Sequence, residues 1–232
     1  MTKIKKNNGY IVVVSLVLIM FGLSFVFSHL VSISMARANG ITIVIDAGHG
    51  ARDGGSVGAN GTVEKEINLK YAMALKDLLV SVGYYVELTR KNDEPLYSPL
   101  AKNKKQSDMQ ARMRTIKRAN PNLVISVHMN SFPLKTAHGA TAYYRKGDES
   151  GHVVADIIQK SLHEYASAPQ SKARVGDYYI LNASYYTAIL IEFGFLSNPD
   201  EEAMLNTDEY MYHQLNAVVR GVILHFGNYQ VV

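Results

Sequence analysis

The chain has 232 residues, enough for one domain with a core of its own. Of its 24 basic and 20 acidic residues, four basic ones and no acidic one precede residue 39, so the remainder is formally neutral. A basic excess confined to one short segment gives no argument for nucleic-acid binding. The absence of cysteine excludes disulfides, thiolate ligands and a cysteine nucleophile, so any metal must be bound by His, Asp or Glu.

Residues 1–38 are typical of a signal peptide or a membrane anchor. Three lysines precede an uncharged apolar run at residues 11–27, and Ala36-Arg37-Ala38 resembles a cleavage site. The lysines are expected to stay in the cytoplasm, so residues 39–232, the predicted domain, are expected outside the membrane. If cleavage does not occur, residues 11–27 would anchor the protein in the membrane.

From Ile41 onward, short apolar runs alternate with helical patterns. This alternation predicts a single α/β domain whose twisted, mostly parallel sheet is covered by helices on both faces. Residues 91–107 are polar and are predicted to form a loop of a length that is often functional. The predicted strands are 41–45, 85–89, 123–127, 140–144, 178–181 and 188–191, and the predicted helices are 67–82, 108–119, 152–165, one beginning at 198, and 208–226.

Conspicuous polar residues follow three of the apolar strands. Asp46 and His49 follow ITIVI, His128 follows LVISV, and Glu192 follows AILI. In sheets of this kind ligands bind beyond the carboxyl ends of the strands. We therefore expect these side chains to meet at one edge of the sheet.

Two histidines and one carboxylate, with a fourth position for water, form a catalytic zinc site. A second, unligated carboxylate can take the proton of the water and pass it to a leaving amine. Glu64 and Glu66 supply further carboxylates, although the helix dipole favours acids in a first turn in any case. The residue types alone do not show whether Glu64 or Glu66 belongs to the site. They also do not show which carboxylate is the metal ligand and which is the base. The glycines of residues 48–61 fit no phosphate-binding motif, and no G-x-S-x-G motif occurs.

Segments spanning residues 41–226 resemble, in order and spacing, the zinc-dependent N-acetylmuramoyl-L-alanine amidases of the Amidase_3 family. These segments are IVIDAGHGARDGGSVG, TVEKEINL, LTR, VISVHMNS and IEFGFLSNPDE. The resemblance implies cleavage of the amide between the muramic acid lactyl group and L-alanine in peptidoglycan. It also implies that His49, Glu64 and His128 bind one Zn²⁺ per chain and that Glu192 is the catalytic acid/base. Within IDAGHGARDGG, Asp46 is expected to orient a ligand imidazole and Asp53 to form a turn.

The single catalytic domain and the Lys/Gln-rich insert before the predicted helix 108–119 resemble the sporulation amidases of the CwlD type. Those enzymes remove stem peptides from glycan strands of the spore cortex, the first step toward the muramic δ-lactam that germination enzymes recognise. The alternatives are a vegetative cell-wall amidase, a zinc peptidase acting within the stem peptide, and a wall-binding protein with a degenerate site. In a further alternative, an exported accessory protein orders residues 91–107 or promotes zinc binding.

Overall fold

The computed structural model describes residues 13–24 and 40–227. Residues 13–24 form helix α1, and its side chains are exposed. No helix within the described ranges is both long and apolar enough to cross a membrane. The predicted cleavage site at residues 36–38 and the remainder of the predicted anchor lie outside the described residues, so the signal or anchor stays a prediction.

Strands and helices alternate from residue 42 onward. The six strands form one sheet with the order β2-β1-β3-β6-β4-β5. The strands are β1 (Thr42–Ala47), β2 (Tyr85–Leu88), β3 (Leu123–Asn130), β4 (Thr141–Tyr144), β5 (Arg174–Val175) and β6 (Ala188–Phe195). The helices are α2 (Glu64–Ser81), α3 (Lys104–Ala119), α4 (Glu149–Ala166), α5 (Tyr179–Ala183), α6 (Pro199–Leu205) and α7 (Asp208–Gly227). The predicted α/β class is confirmed, and the sheet is mixed because β4 runs antiparallel to β6 while the other pairings are parallel.

Side chains of the central strands alternate between two cores. Ile43 and Ile125 belong to the larger core, which packs against α2, α4 and α7. Val44 and Val124 belong to the smaller core on the other face, together with Ile116 of α3. Because both faces of the strand are covered, the sequence of each central strand is apolar throughout.

Residues 178–181, predicted to be a strand, are instead part of a helical turn. The backbone amides of Leu181 and Asn182 both donate to the carbonyl of Tyr178, which starts α5. Ile180 and Leu181 are buried in the smaller core. Packing against the sheet therefore overrides the strand propensity of the aromatic and β-branched residues.

Helix α3 begins at Lys104 rather than at Asp108, so the loop before it is shorter than predicted. The side chain of Asn103 accepts a hydrogen bond from the Gln106 amide at 3.0 Å, which caps the helix. Its first turn carries lysines and no acid. Acidic residues are the usual pattern at a helix amino terminus, so the lysines did not indicate that α3 begins at Lys104.

Candidate metal centre and active site

The polar residues at the ends of the central strands lie on the face of the sheet that α3 and α5 cover. Asp46 is the register partner of Ser126, and His128 is the register partner of Glu192. Register partners on adjacent parallel strands point to the same face and lie about 5 Å apart. The strands β1, β3 and β6 therefore bring their polar ends to one edge, as expected.

His49, Glu64 and His128 form a group whose ligand atoms lie within 4.8 Å of one another. Glu64 Oε1 lies 3.2 Å from His49 Nε2 and 3.0 Å from His128 Nδ1. Tetrahedral zinc, with ligand distances of about 2.1 Å, places its donor atoms roughly 3.4 Å apart. The donor set and its spacing therefore fit zinc. Glu66, the other sequence candidate, is exposed and is not part of the group.

Glu64 is buried and is held by backbone and side-chain donors. Its Oε2 accepts from the Ser56 amide at 2.8 Å, and its Oε1 accepts from Asn68 Nδ2 at 3.2 Å. Burial opposes ionisation, but the contacts with His128 and His49 outweigh it and hold the pKa of Glu64 well below its usual range. The carboxylate is therefore an anion at neutral pH, as binding of a cation requires.

Two glycines leave the space in which this group sits. A Cβ on Gly48 would overlap the imidazole ring of His128. A Cβ on Gly55, whose φ is +70°, would meet the side chains of Glu64 and His49. These glycines are needed for close packing around His49, Glu64 and His128 as well as for the turn.

Two buried arginines hold the loop that carries His49. Arg90 donates to the carbonyls of Ala47 and Gly48, each at 2.9 Å. Arg112 donates to the carbonyl of Ala47 at 2.6 Å and to that of His49. His49 has a φ of 59°, a left-handed conformation that is costly for a residue with a Cβ. The carbonyl hydrogen bonds from the two guanidinium groups stabilise the loop in this conformation.

Asp46 does not contact a ligand imidazole, contrary to expectation. Its Oδ1 accepts from Arg112 Nη1 at 2.8 Å and from Thr89 Oγ1 at 2.7 Å, and its Oδ2 accepts from Ser126 Oγ at 2.8 Å. Burial opposes ionisation, but the charge of Arg112 and these hydrogen bonds outweigh it and lower the pKa of Asp46 to about 2. Asp46 therefore supports His49 only through Arg112.

Asp53, predicted only to form a turn, is the carboxylate beside the first histidine. Its Oδ1 lies 3.0 Å from His49 Nδ1 and also accepts from the Gly55 amide at 3.2 Å. A carboxylate at the second ring nitrogen fixes the tautomer and orientation of a ligand histidine. His49 Nδ1 has no aligned hydrogen bond among the described residues, so Asp53 contacts it as a neighbouring charge, in the position that was expected for Asp46, while also closing the turn.

Glu192 is a buried carboxylate near the metal group. It is 7% exposed, and within the described ranges its Oε2 has no hydrogen-bond partner. Burial raises the pKa of Glu192 to about 7, although the charge of His128 opposes the shift. Tyr178 lies beside it, and burial together with the Glu192 charge raises the pKa of that phenol. A carboxyl group with a pKa near neutrality can both accept and donate a proton at that pH.

A cavity of about 440 Å³ opens beside His49 and His128 of the metal group. Its lining includes His49, His128, Tyr97, Tyr178 and Lys105. Another cavity, of about 580 Å³, lies along β2 and contains none of the metal-group residues. The cavity over the metal group is therefore the candidate active site despite its smaller volume.

The comparisons with known proteins identify the family of the chain. The family model described as N-acetylmuramoyl-L-alanine amidase, Amidase_3, matches residues 43–223. The chain belongs to this family. The resemblance inferred from the motifs and the enzyme class are thereby confirmed.

Three relatives of this amidase illustrate the range of the family. The germination-specific N-acetylmuramoyl-L-alanine amidase of Bacillus subtilis is 31% identical over 192 residues, which are 81% of each chain. The probable cell wall amidase LytH of Staphylococcus epidermidis is 29% identical over 199 residues, 85% of this chain and 62% of that one. The CwlD amidase of Clostridioides difficile, solved in complex with the GerS lipoprotein, matches with a TM-score of 0.76 and 30% identity, covering 81% of this chain and 99% of that chain.

Several residues that build the candidate site had no predicted role. Arg90 ends the LTR segment just beyond β2. An arginine at the carboxyl end of a strand could have been predicted to lie near the site, because ligands bind at that edge of the sheet. Asn68 lies four residues after Glu64 on α2, a spacing that places both on one helix face. The role of Arg112 at the site could not be inferred, because apart from Asp108 of the same helix its partners come from β1 and the loop after it.

Proposed function

We propose that this amidase hydrolyses the amide between the lactyl group of N-acetylmuramic acid and L-alanine, with zinc held by His49, Glu64 and His128. Glu192 is the proposed proton carrier. The observation that carries the proposal is the buried Glu192 carboxyl, whose Oε2 has no hydrogen-bond partner among the described residues, beside a His-Glu-His group whose spacing fits zinc. Zinc, when bound there, polarises the substrate carbonyl and acidifies water.

The side chains of this protein have separate tasks in the proposed reaction. The negative charge of Asp53, 3.0 Å from His49 Nδ1, favours the tautomer that carries its proton on Nδ1, and Nε2 is then free to bind metal. Glu192 accepts a proton as the water oxygen bonds to the lactyl carbonyl carbon. It then donates that proton to the alanine nitrogen as the carbon–nitrogen bond breaks. The products are a lactyl carboxylate and a peptide with a free L-alanine amino terminus.

Matched glutamate variants test the ligand assignment. Glu64→Gln should lose stoichiometric zinc, measured by metal analysis of the purified chain. Glu66→Gln changes a carboxylate in the same helical turn, but this one is exposed, so its zinc content should equal that of the wild type. Equal zinc content in both variants would remove Glu64 from the ligand set.

A further variant separates metal binding from proton transfer. Glu192→Gln should keep its zinc and lose roughly 10²- to 10⁴-fold in turnover, the range typical of general acid–base catalysis. Wild-type turnover in a zinc-loaded Glu192→Gln protein would exclude the proposed role.

The products distinguish the amidase from a zinc peptidase that cuts within the stem. Mass spectrometry of digested peptidoglycan should show glycan without peptide and intact stems that begin with L-alanine. Shortened stems still attached to glycan would instead identify a peptidase.

We also propose that the enzyme acts outside the cytoplasmic membrane, on spore-cortex peptidoglycan, in the step that precedes muramic δ-lactam formation. The support is the similarity to the germination-specific amidase of Bacillus subtilis and to the CwlD amidase. The similarity to LytH favours a vegetative wall substrate as the second candidate. Loss of the gene should abolish δ-lactam in spores and leave vegetative wall composition unchanged; the opposite result would favour the vegetative role.

An exported accessory protein is a further part of the proposal. The support is that the CwlD amidase was solved in complex with a lipoprotein. In this chain residues 91–103, between β2 and α3, contribute Tyr97 to the cavity wall and are the proposed element that a partner would order. Zinc content and turnover should rise when the corresponding lipoprotein is added, and equal values with and without it would contradict this part.

A further inference from the structure

Three cationic side chains stand at the rim of the cavity above the metal group. We call Arg52, Lys104 and Lys105 the basic rim; all three line the cavity that also contains His49 and His128. Arg52 comes from the loop after β1, and the two lysines come from the first turn of α3. The basic rim therefore joins two separate segments of the chain at the entrance to the site.

The other charges of the cavity are already paired. Arg112 lies 2.8 Å from Asp46 and 2.7 Å from Asp108. By contrast, neither Arg52 nor Lys105 has a salt-bridge partner among the described residues, and both are exposed. The basic rim therefore keeps charge available for a ligand.

Lys104 and Lys105 differ in how they are held. Lys104 is half-buried, donates to the carbonyl of Pro99 and lies 5.0 Å from the centre of the Tyr97 ring. Lys105 is exposed and lines the same cavity wall as Asp53 and His49. The positive charge thus extends from the rim to the His49 side of the cavity.

The stability of α3 does not explain these lysines. Positive charge in the first turn opposes the helix dipole, and this turn has no acidic residue to offset it. An anionic ligand in the adjacent cavity would remove the repulsion. The charge pattern therefore favours a binding role over a structural one.

We infer that the basic rim binds the free α-carboxylate of the second stem-peptide residue, and so sets a preference for acidic over amidated stems. This inference rests on the function proposed above. In peptidoglycan the second residue is a D-glutamyl group joined to the next residue through its γ-carboxyl, which leaves the α-carboxyl either free or amidated. Because this group is about two residues from the scissile amide, it lies within roughly 7 Å of it. The basic rim lines the same cavity as His49 and His128, so we place this carboxylate against the rim when the scissile amide is at the metal group.

The test compares two glycan-linked peptides that differ only in this group, one with D-isoglutamate and one with D-isoglutamine. The zinc-loaded wild type should cleave the acidic substrate with a kcat/KM roughly tenfold higher, as expected for hydrogen bonds to a charged group. The triple variant Arg52→Gln/Lys104→Gln/Lys105→Gln should bring the ratio close to one. Raising the salt concentration should also reduce the wild-type ratio, because exposed charges are screened.

A control variant removes the same net charge outside the cavity. Lys102→Gln/Arg114→Gln/Lys117→Gln changes three exposed residues that are not part of the cavity lining, and it should keep the wild-type ratio. Circular dichroism and zinc content establish that each variant is folded and loaded. The separated stem peptides supply a readout without turnover: the acidic peptide should bind the Glu192→Gln protein roughly tenfold more tightly than the amidated one.

The possible outcomes separate this inference from the proposed function. If the wild type cleaves both substrates equally, or if the triple variant slows both by the same factor, the inference is wrong and the amidase function stands. If the zinc-loaded protein cleaves neither substrate, the proposed function itself fails. A ratio that falls equally in the control variant would show an effect of net charge alone and would also overturn the inference.

Discussion

Replacing Arg112 by methionine should destabilise the protein more than any exposed substitution on the same helix. The guanidinium is 2% exposed and donates to two carboxylates and two backbone carbonyls. Without it, Asp46 is left in the core with only the hydroxyl donors of Thr89 and Ser126. Removing one partner of a buried ion pair costs about 3–5 kcal/mol. We expect the free energy of unfolding to fall by that amount.

The carboxylate is the source of most of this cost, so neutralising it should restore part of the stability. The double variant Arg112→Met/Asp46→Asn should recover about 2 kcal/mol relative to Arg112→Met, because no uncompensated charge then remains in the core. Arg114→Met removes an exposed arginine from the same helix and should stay within about 0.5 kcal/mol of the wild type.

Urea unfolding at pH 7, followed by far-ultraviolet circular dichroism in the presence of a chelator, measures these differences without a contribution from bound metal. A loss of less than about 1 kcal/mol in Arg112→Met would refute the argument from the buried pair. A double variant no more stable than the single one would show that the carbonyl hydrogen bonds, rather than the Asp46 carboxylate, set the cost.

Three more predictions follow from the site. Gly48→Ala should weaken zinc binding at least tenfold because its Cβ overlaps the His128 ring, whereas Gly54→Ala, whose Cβ would lie 3.6 Å from its nearest neighbour, should bind zinc normally. The pKa of Asp46 is lowered to about 2 by Arg112 and hydrogen bonds, against its burial, so the carboxylate stabilises the fold above pH 4. That contribution, about 2 kcal/mol, should disappear as the pH falls toward 2; an Asp46→Asn variant with the same pH dependence of unfolding would contradict this. Chelation should lower Tm and added zinc should restore it, since an ion bound at 1,000 times its Kd stabilises the folded state by about 4 kcal/mol; identical melting with and without zinc would exclude a bound ion.

The features that could be predicted from the sequence are those set by the uninterrupted apolar runs of the central strands. The apolar runs at β1, β3 and β6 indicated strands buried on both faces, and the polar residues after them indicated the active edge. Helix α5 was missed because a five-residue segment with aromatic and β-branched residues resembles a strand until its packing is known. Glu64 could be chosen over Glu66 only by resemblance, since both lie in the same first turn.

The different positions of Asp46 and Asp53 relative to His49 have a geometric cause. Asp46 still belongs to β1, so the strand alternation directs its side chain toward Arg112 and α3. His49 follows in a left-handed conformation, which local composition did not predict because the residue is not glycine. The reversal of the chain there places Asp53, four residues later, against the His49 ring.

The two halves of the site therefore depend on different parts of the structure. His128 and Glu192 are fixed by the register of two paired strands inside the sheet. His49 stands on a loop whose conformation is unfavourable on its own and is stabilised by guanidinium hydrogen bonds from Arg90 and Arg112. A lysine could not replace either arginine, because an ammonium group lacks the planar fork that reaches several carbonyls at once. Substitutions in the arginines should consequently displace His49 while leaving the geometry of His128 and Glu192 intact.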